Sequence, residues 1–373
     1  MKILQAFDFL SLPHGGGTVD IVYRLSKALA QRGHNITICT GDHELDPKYL
    51  SGLRDAGVEL KIYHSYFNRH GIYLMPGLLG LDVRGYDIIH LHCYRSIQNI
   101  VLYLKATSHD VPYIVDAHGS TVEHHDRKRV LRTIYDLMYG RAIIDYAKFV
   151  IAETAIGVAE WEKLGARRNQ IRLQHPLLDI SEFAGVPATG KTNPFTILFL
   201  GRIHQAKGID ILLEAFMKLL RLKDAKLVIA GQDDGYLATL KELVKEARVQ
   251  DKVSFSGFID GKDKLSALSS AGVLVQPSRN EAGARPSLEA IMCGTPVVVS
   301  RDTGAGREIA SFDGGLLFQS GDAEELAKAI LEVIEKPEEA RARTEKAREY
   351  IVENLSLEKQ IGQYEKLYEE ALR

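Results

Sequence analysis

The chain is poor in the residues that staple, anchor or bias a protein. It has three cysteines among 373 residues, Cys39, Cys93 and Cys293, odd in number and with no C-x-x-C pair. Neither a disulfide framework nor a cysteine-based zinc site is indicated. No apolar run approaches the roughly 20 residues that cross a bilayer. The opening MKILQAFDFL enters a strand-like run directly, without the basic start, apolar core and cleavage site of a secretory signal. The expectation is a cytoplasmic protein that at most touches a membrane from that side. Charge of one sign is also lacking: 47 Lys and Arg against 49 Asp and Glu leave a net −2, which argues against a general nucleic-acid binder.

What is present is ordinary soluble composition, 45% hydrophobic and 26% charged, in a chain too long for one core and suited to two domains. Strand-like and helical stretches alternate. Met1–Phe7 reads as a strand, and Pro13 to Gly17 (PHGGG) as a glycine-rich loop. Val19–Arg32 has helical spacing of Val19, Val22, Leu25 and Leu29, and Asn35–Thr40 is the next strand. This is a βαβ opening, with glycines where backbone passes close to a ligand. A formal Walker A match, Gly185 to Thr192, precedes a strand at Phe195–Leu200 instead of the helix that a P-loop requires, and is discounted.

The richest stretch is Ala271–Ser300. An apolar strand ends at Pro277-Ser278, Pro286 suits the first turn of a helix, Gly294 suits its end, and Val297–Ser300 is another strand. Backbone amides around Ala284–Ser287 then form a helix start, which favours anions. Glu281 precedes that start and Glu289 lies about one turn inside it. Two acceptor-only carboxylates beside a phosphate-binding terminus suit a ligand with sugars on both sides of a phosphate. Helix-terminus electrostatics and a solvated face would account for the same two residues. Upstream, Gly201-Arg-Ile-His-Gln-Ala-Lys-Gly208 puts Arg202 and Lys207 on a strand-to-helix loop, suited to a pyrophosphate.

Glu281-Ala-Gly-Ala-Arg-Pro-Ser-Leu-Glu289, followed by Ala-Ile-Met-Cys-Gly-Thr-Pro-Val-Val, resembles the E-x7-E signature of retaining GT-B glycosyltransferases of family 4, and G-R-x4-K-G-x-D-x-L-L-x-A-F resembles a second signature of that family. The resemblance implies an α/β GT-B architecture, with two Rossmann-like parallel-sheet domains facing across a cleft. The first would span 1–185 plus a C-terminal helix at about 356–373, and the second, donor-binding domain 194–355. It implies a hexosyltransferase moving a sugar from a UDP- or GDP-linked donor to an acceptor hydroxyl, lipid-linked and phospholipid acceptors included. By resemblance, Glu281 and His118 contact the donor sugar, Glu289 holds the ribose, and Arg202 and Lys207 neutralise the leaving pyrophosphate. The remaining donor contacts would come from Gly16, Gly17, Gly257, Phe258, Gly283, Ala284 and Arg285. No metal and no cofactor is expected. A GT-B sugar-nucleotide epimerase and a non-catalytic nucleotide-sugar-binding protein are the alternatives.

His118 follows the strand Val111–Ala117, at the end of a strand where open α/β sheets bind ligands. His90 and His92 share one strand face, but sequence spacing supplies no third metal ligand. His124–Arg141 reads as a basic amphipathic helix with Leu131, Ile134, Leu137 and Met138 on one face. Residues 127–141 would either dock on an anionic membrane or pack on the sheet with a solvated basic side.

Overall fold

The computed structural model describes residues 1–11, 17–66, 72–121, 129–175, 177–186 and 194–373, with the Arg129 side chain left out. Gly16, the His124–Lys128 stretch and most of the Walker-like segment lie outside them. The chain divides into two compact units, Met1–Leu177 with Glu358–Arg373, and Leu178–Leu357.

The first unit is built on seven strands: β1 (Lys2–Ala6), β2 (Asn35–Gly41), β3 (Glu59–Tyr63), β4 (Ile88–His92), β5 (Tyr113–Asp116), β6 (Phe149–Ala152) and β7 (Ile171–Leu173). They run parallel in the order β3-β2-β1-β4-β5-β6-β7. Every residue of β4 and β5 is buried, the signature of a parallel sheet covered on both faces. The helix Gly17–Gln31 buries Val19, Val22, Leu25 and Leu29, the stripe its spacing predicts. Trp161 is fully buried, and its indole N–H donates to the Ile151 carbonyl at 2.8 Å. The C-terminal helix Leu357–Ala371 belongs here: Tyr364 and Tyr368 are buried, and Glu365 accepts from Arg32 at 2.7 Å.

The second unit carries β8 (Phe195–Leu200), β9 (Ala225–Ala230), β10 (Val253–Gly257), β11 (Val273–Gln276), β12 (Val297–Ser300) and β13 (Leu316–Phe318), parallel in the order β10-β9-β8-β11-β12-β13. Two apolar clusters enclose this sheet. One includes the helices Ile209–Leu219 and Ala323–Glu335, the other Arg285–Met292 and part of Pro337–Asn354. Leu178 and Phe183 sit in the second cluster, and Leu178 accepts from the Leu357 amide at 2.8 Å, so the short 178–183 segment goes with this unit. In both sheets the chain reverses direction beside the first strand, the topological switch point where open α/β sheets bind ligands.

Among the described residues no helix is long and apolar enough to cross a membrane. Over the described residues the expected basic helix is present, with a π turn inside it. It runs Arg129–Tyr135, passes through a wider π turn at Asp136–Gly140, and resumes at Arg141–Tyr146. The apolar stripe expected to face either a membrane or the sheet does not pack on the sheet: Leu137 is 79% and Met138 63% exposed, and Leu131 and Ile134 are exposed as well. Ile143 and Ile144 are the buried anchors instead.

Candidate active site

In the second unit the loop after β8 is bound to the loop after β11. The Ala206 carbonyl accepts from the Arg279 amide at 2.9 Å, and the Arg279 guanidinium reaches the Gln205 carbonyl at 3.0 Å and both carboxylate oxygens of Asp210. Gly208 makes this approach possible. It is left-handed (φ 65°), and a Cβ there would lie 2.0 Å from the Pro277 carbonyl oxygen. The result is that Lys207 Nζ forms an ion pair with Glu281, 74 residues away, with both side chains mostly buried. Ser278 Oγ donates to the same Glu281 oxygen at 3.2 Å.

Behind this pair the helix Arg285–Met292 begins with Ala284 as its cap and Pro286 in its first turn. The Ala284 amide is already engaged: the buried Glu308 carboxylate accepts from it at 3.0 Å. Of the amides expected to form the anion site, this one is therefore already bonded within the fold. Ser287 Oγ donates to Gln276 Oε1 at 2.6 Å, and Gln276 Nε2 donates to the Gly283 carbonyl at 3.2 Å, which fixes the turn entering the helix. Glu289 is buried, and its Oε1 accepts from both Lys264 and Arg285 at 3.2 Å. Two cations thus converge on one of its oxygens.

Arg202 and Lys207, read as a pair, are not joined on a single partner. Arg202 donates to Asp234 at 2.6 Å and is half-exposed, while Lys207 answers to Glu281. The neighbouring Asp233 turns the other way and accepts from the amides of Gly235, Tyr236 and Leu237. Gly257 ends β10 in the left-handed region and Phe258 beyond it is exposed. Lys264, Ser278, Gln276 and Glu308 escaped sequence reasoning because each meets its partner through tertiary folding, without a spacing to betray it.

In the first unit, Gly17 opens the helix Gly17–Gln31. The His118 ring is 1% exposed and both of its nitrogens are taken: Nδ1 meets Glu153 Oε1 and Nε2 meets His92 Nδ1, each at 2.8 Å. A contact between this ring and a sugar would require it to leave those partners. The residue is nevertheless only half-buried, so what it presents outward is its main chain, left-handed at φ 45°. The third group that spacing could not supply to His90 and His92 comes from β5. Single ligand-type atoms of His90, His92 and Asp116 lie within 4.8 Å of one another, as do those of Asp116, His118 and Glu153. These groups bond one another and their neighbours: His90 Nδ1 meets Tyr368 Oη at 2.9 Å, and Tyr364 Oη donates to Asp116 at 3.2 Å.

Two buried acids in this unit make a pH prediction. Burial raises Asp8 from its ordinary 3.8 to about 6, against a hydrogen bond from Ser96 that lowers it. Burial likewise raises Asp116 to about 6. Between pH 3.8 and about 6 the folded state holds protons that the unfolded chain has released, so these acids cost stability as pH rises through that window. Asp8→Asn should therefore gain stability relative to wild type from pH 4 to pH 7. Thermal melts across that range check this; parallel curves for the two proteins would refute it.

Two parallel sheets of Rossmann order, one bearing a cation–carboxylate site at a helix start beyond its strand ends, define the GT-B class of α/β enzymes. A family model described as Glycosyltransferase Family 4 matches residues 15–182, and one described as Glycosyl transferases group 1 matches 186–350. The chain belongs to this glycosyltransferase family and is an enzyme of the hexosyltransferase class. It is 24% identical over 379 residues to the N-acetyl-alpha-D-glucosaminyl L-malate synthase of Bacillus anthracis, covering 97% of this chain and 96% of that one. It is 33% identical over 291 residues to a D-inositol 3-phosphate glycosyltransferase of Arthrobacter sp. (strain FB24), covering 72% of this chain and 62% of that one. In fold it is similar to the crystal structure of Anabaena Alr3699/HepE in complex with UDP-glucose, with a TM-score of 0.81 at 18% identity over 98% of this chain and 99% of that one.

Proposed function

We propose that this enzyme transfers a sugar from a nucleoside-diphosphate sugar to an acceptor hydroxyl, with retention at the anomeric carbon and without a metal. The observation that carries the reading is the Lys207–Glu281 ion pair, poised beside the Arg285–Met292 helix start with Glu289 one turn inside. A donor diphosphate entering there would meet Lys207 already held by Glu281, whose second oxygen, not engaged by Lys207 or Ser278, would accept from a sugar hydroxyl. Glu289, neutralised on one oxygen by Lys264 and Arg285, keeps its other oxygen for ribose. The leaving diphosphate gains charge as the glycosidic bond breaks, and fixed cations stabilise that charge more than they stabilise the bound donor. UDP complexes in a relative of the same fold support a uridine donor. The test is a panel of UDP- and GDP-sugars. A bound donor at about 100 times its Kd should stabilise the protein by about 2.7 kcal/mol. With acceptor present, nucleoside diphosphate should be released and the product should keep the donor's anomeric configuration. Epimerised donor, inverted product or no stabilisation by any sugar nucleotide would each defeat the reading.

The enzyme is also proposed to touch an anionic membrane through the stripe of Leu131, Ile134, Leu137 and Met138, which stands exposed on a stretch carrying Arg132 and Arg141. Flotation with phosphatidylglycerol vesicles should exceed that with phosphatidylcholine vesicles. Leu137→Asp should weaken it about tenfold, the value of burying one such side chain. Equal flotation on both vesicles, or no effect of the substitution, would remove the membrane from the account.

A further inference from the structure

His118 lies in the middle of a buried chain of hydrogen bonds whose protons can be counted. Gln5 Oε1 only accepts, so His92 Nε2, 2.8 Å away, carries a proton. His92 is buried, and burial holds it neutral with its pKa well below the ordinary value. Its Nδ1 is then bare and accepts from His118 Nε2 at 2.8 Å, so that nitrogen carries a proton too. One more proton lies on the 2.8 Å line from His118 Nδ1 to Glu153 Oε1. The ring is 1% exposed and its Nδ1 faces two carboxyl groups at once, Glu153 Oε1 at 2.8 Å and Asp116 Oδ1 at 3.5 Å. The proton therefore belongs to the ring.

We propose that Glu153 is a positioning residue, which with His92 and Gln5 locks His118 as a buried imidazolium and thereby fixes the left-handed His118–Gly119 turn at the carboxyl end of β5. The turn has φ of 45° at His118 and 76° at Gly119, the first an uncommon conformation for a residue with a side chain. The ring meets His92 from β4, Asp116 from β5 and Glu153 after β6, with His90 of β4 behind His92, and it shares Asp116 with Cys93 and with Tyr364 of the C-terminal helix. Burial holds His90 and His92 neutral and pushes the Cys93 thiol and the Tyr364 phenol up, so His118 is the one cation of this cluster. Its own pKa moves up against burial because Asp116 and Glu153 favour the charged form.

The protonation can be read without any substrate. In protein labelled with ¹⁵N-histidine, long-range proton–nitrogen spectra at pH 7 should show one ring with both nitrogens protonated, absent from His118→Gln. They should also show His92 as the Nε2–H tautomer. Glu153→Gln should return His118 to single protonation at pH 7, and Glu153→Asp should restore the imidazolium. A His118 ring that is singly protonated in the wild type, with His92 as the Nδ1–H tautomer, would mean that the chain runs in the opposite sense with Gln5 donating, and would overturn the proposal. So would a Glu153→Gln spectrum like the wild type, or displacement of the ring protons by added Zn²⁺. The positioning role rests on the transfer reading above and has its own readout. In Glu153→Gln the pH at which kcat falls should move down by at least one unit, a tenfold change in proton affinity, with KM for the donor little changed. A uniform loss of activity with an unmoved pH profile would reduce Glu153 to a structural residue.

Discussion

Replacing Lys207 by alanine should lower kcat for sugar transfer about 10²–10³-fold, the usual consequence of deleting one preorganised group that meets transition-state charge. The ammonium is held by Glu281 between two loops, with only 18% of its side chain exposed, so its position is set before a donor arrives. Water takes its place poorly, because water must reorient as charge builds on the leaving diphosphate. The folded state should lose stability too, by up to about 3–5 kcal/mol, because the substitution leaves the mostly buried Glu281 carboxylate without its cation. Arg202→Ala should cost less than Lys207→Ala, because that guanidinium is half-exposed and is drawn aside by Asp234. Initial rates at saturating donor, with a melting curve for each variant, decide the matter. A Lys207→Ala enzyme within about threefold of the wild type would show that the site described here is not where charge develops.

Much of this architecture was legible in the sequence, for a physical reason. Buried parallel strands read as short β-branched runs, such as Val297–Ser300, and helices on their faces carry apolar residues at a period of 3.6, as Val19, Val22, Leu25 and Leu29 do. Proline at the start and glycine past the end frame the helix Arg285–Met292 in the sequence itself. The strands β3, β7 and β13 are short or half-exposed and give no such run. What spacing cannot convey is pairing across the sheet. Glu289 was visible as a carboxylate one turn into a helix, but Lys264, which neutralises it, comes from a different helix 25 residues earlier. His118 was visible at a strand end, but the burial of its ring against His92 and Glu153 follows from the parallel register of β4, β5 and β6. The stripe at Leu131–Met138 shows the converse. Its amphipathic period was plain, yet a period does not say what covers the apolar face: Leu131 and Ile134 before the π turn are exposed as Leu137 and Met138 within it are, and Ile143 and Ile144 anchor the stretch instead.

Gly208→Ala should damage the donor site through the backbone alone, without removing any group that meets substrate. The position is left-handed at φ 65°, which costs a residue with a Cβ about 1–2 kcal/mol. The Cβ would also lie 2.0 Å from the Pro277 carbonyl oxygen and 3.0 Å from its carbon, both backbone atoms that no rotamer change can move. Relief requires the loop after β8 to separate from the loop after β11. Overpacking of this kind adds about 1–3 kcal/mol, so the total loss of stability should be about 2–5 kcal/mol. The separation strains the Ala206–Arg279 hydrogen bond and carries Lys207 away from Glu281. Because the damage is to positioning, KM for the donor should rise and kcat should fall together, whereas Lys207→Ala should act mainly on kcat. Gly33→Ala supplies the control: that glycine is also left-handed, at φ 88°, but its Cβ would meet nothing within 4 Å. It should lose stability through strain only and keep donor affinity. If Gly208→Ala and Gly33→Ala lost equal stability and Gly208→Ala kept its donor affinity, the close approach of the two loops would have no part in forming the site.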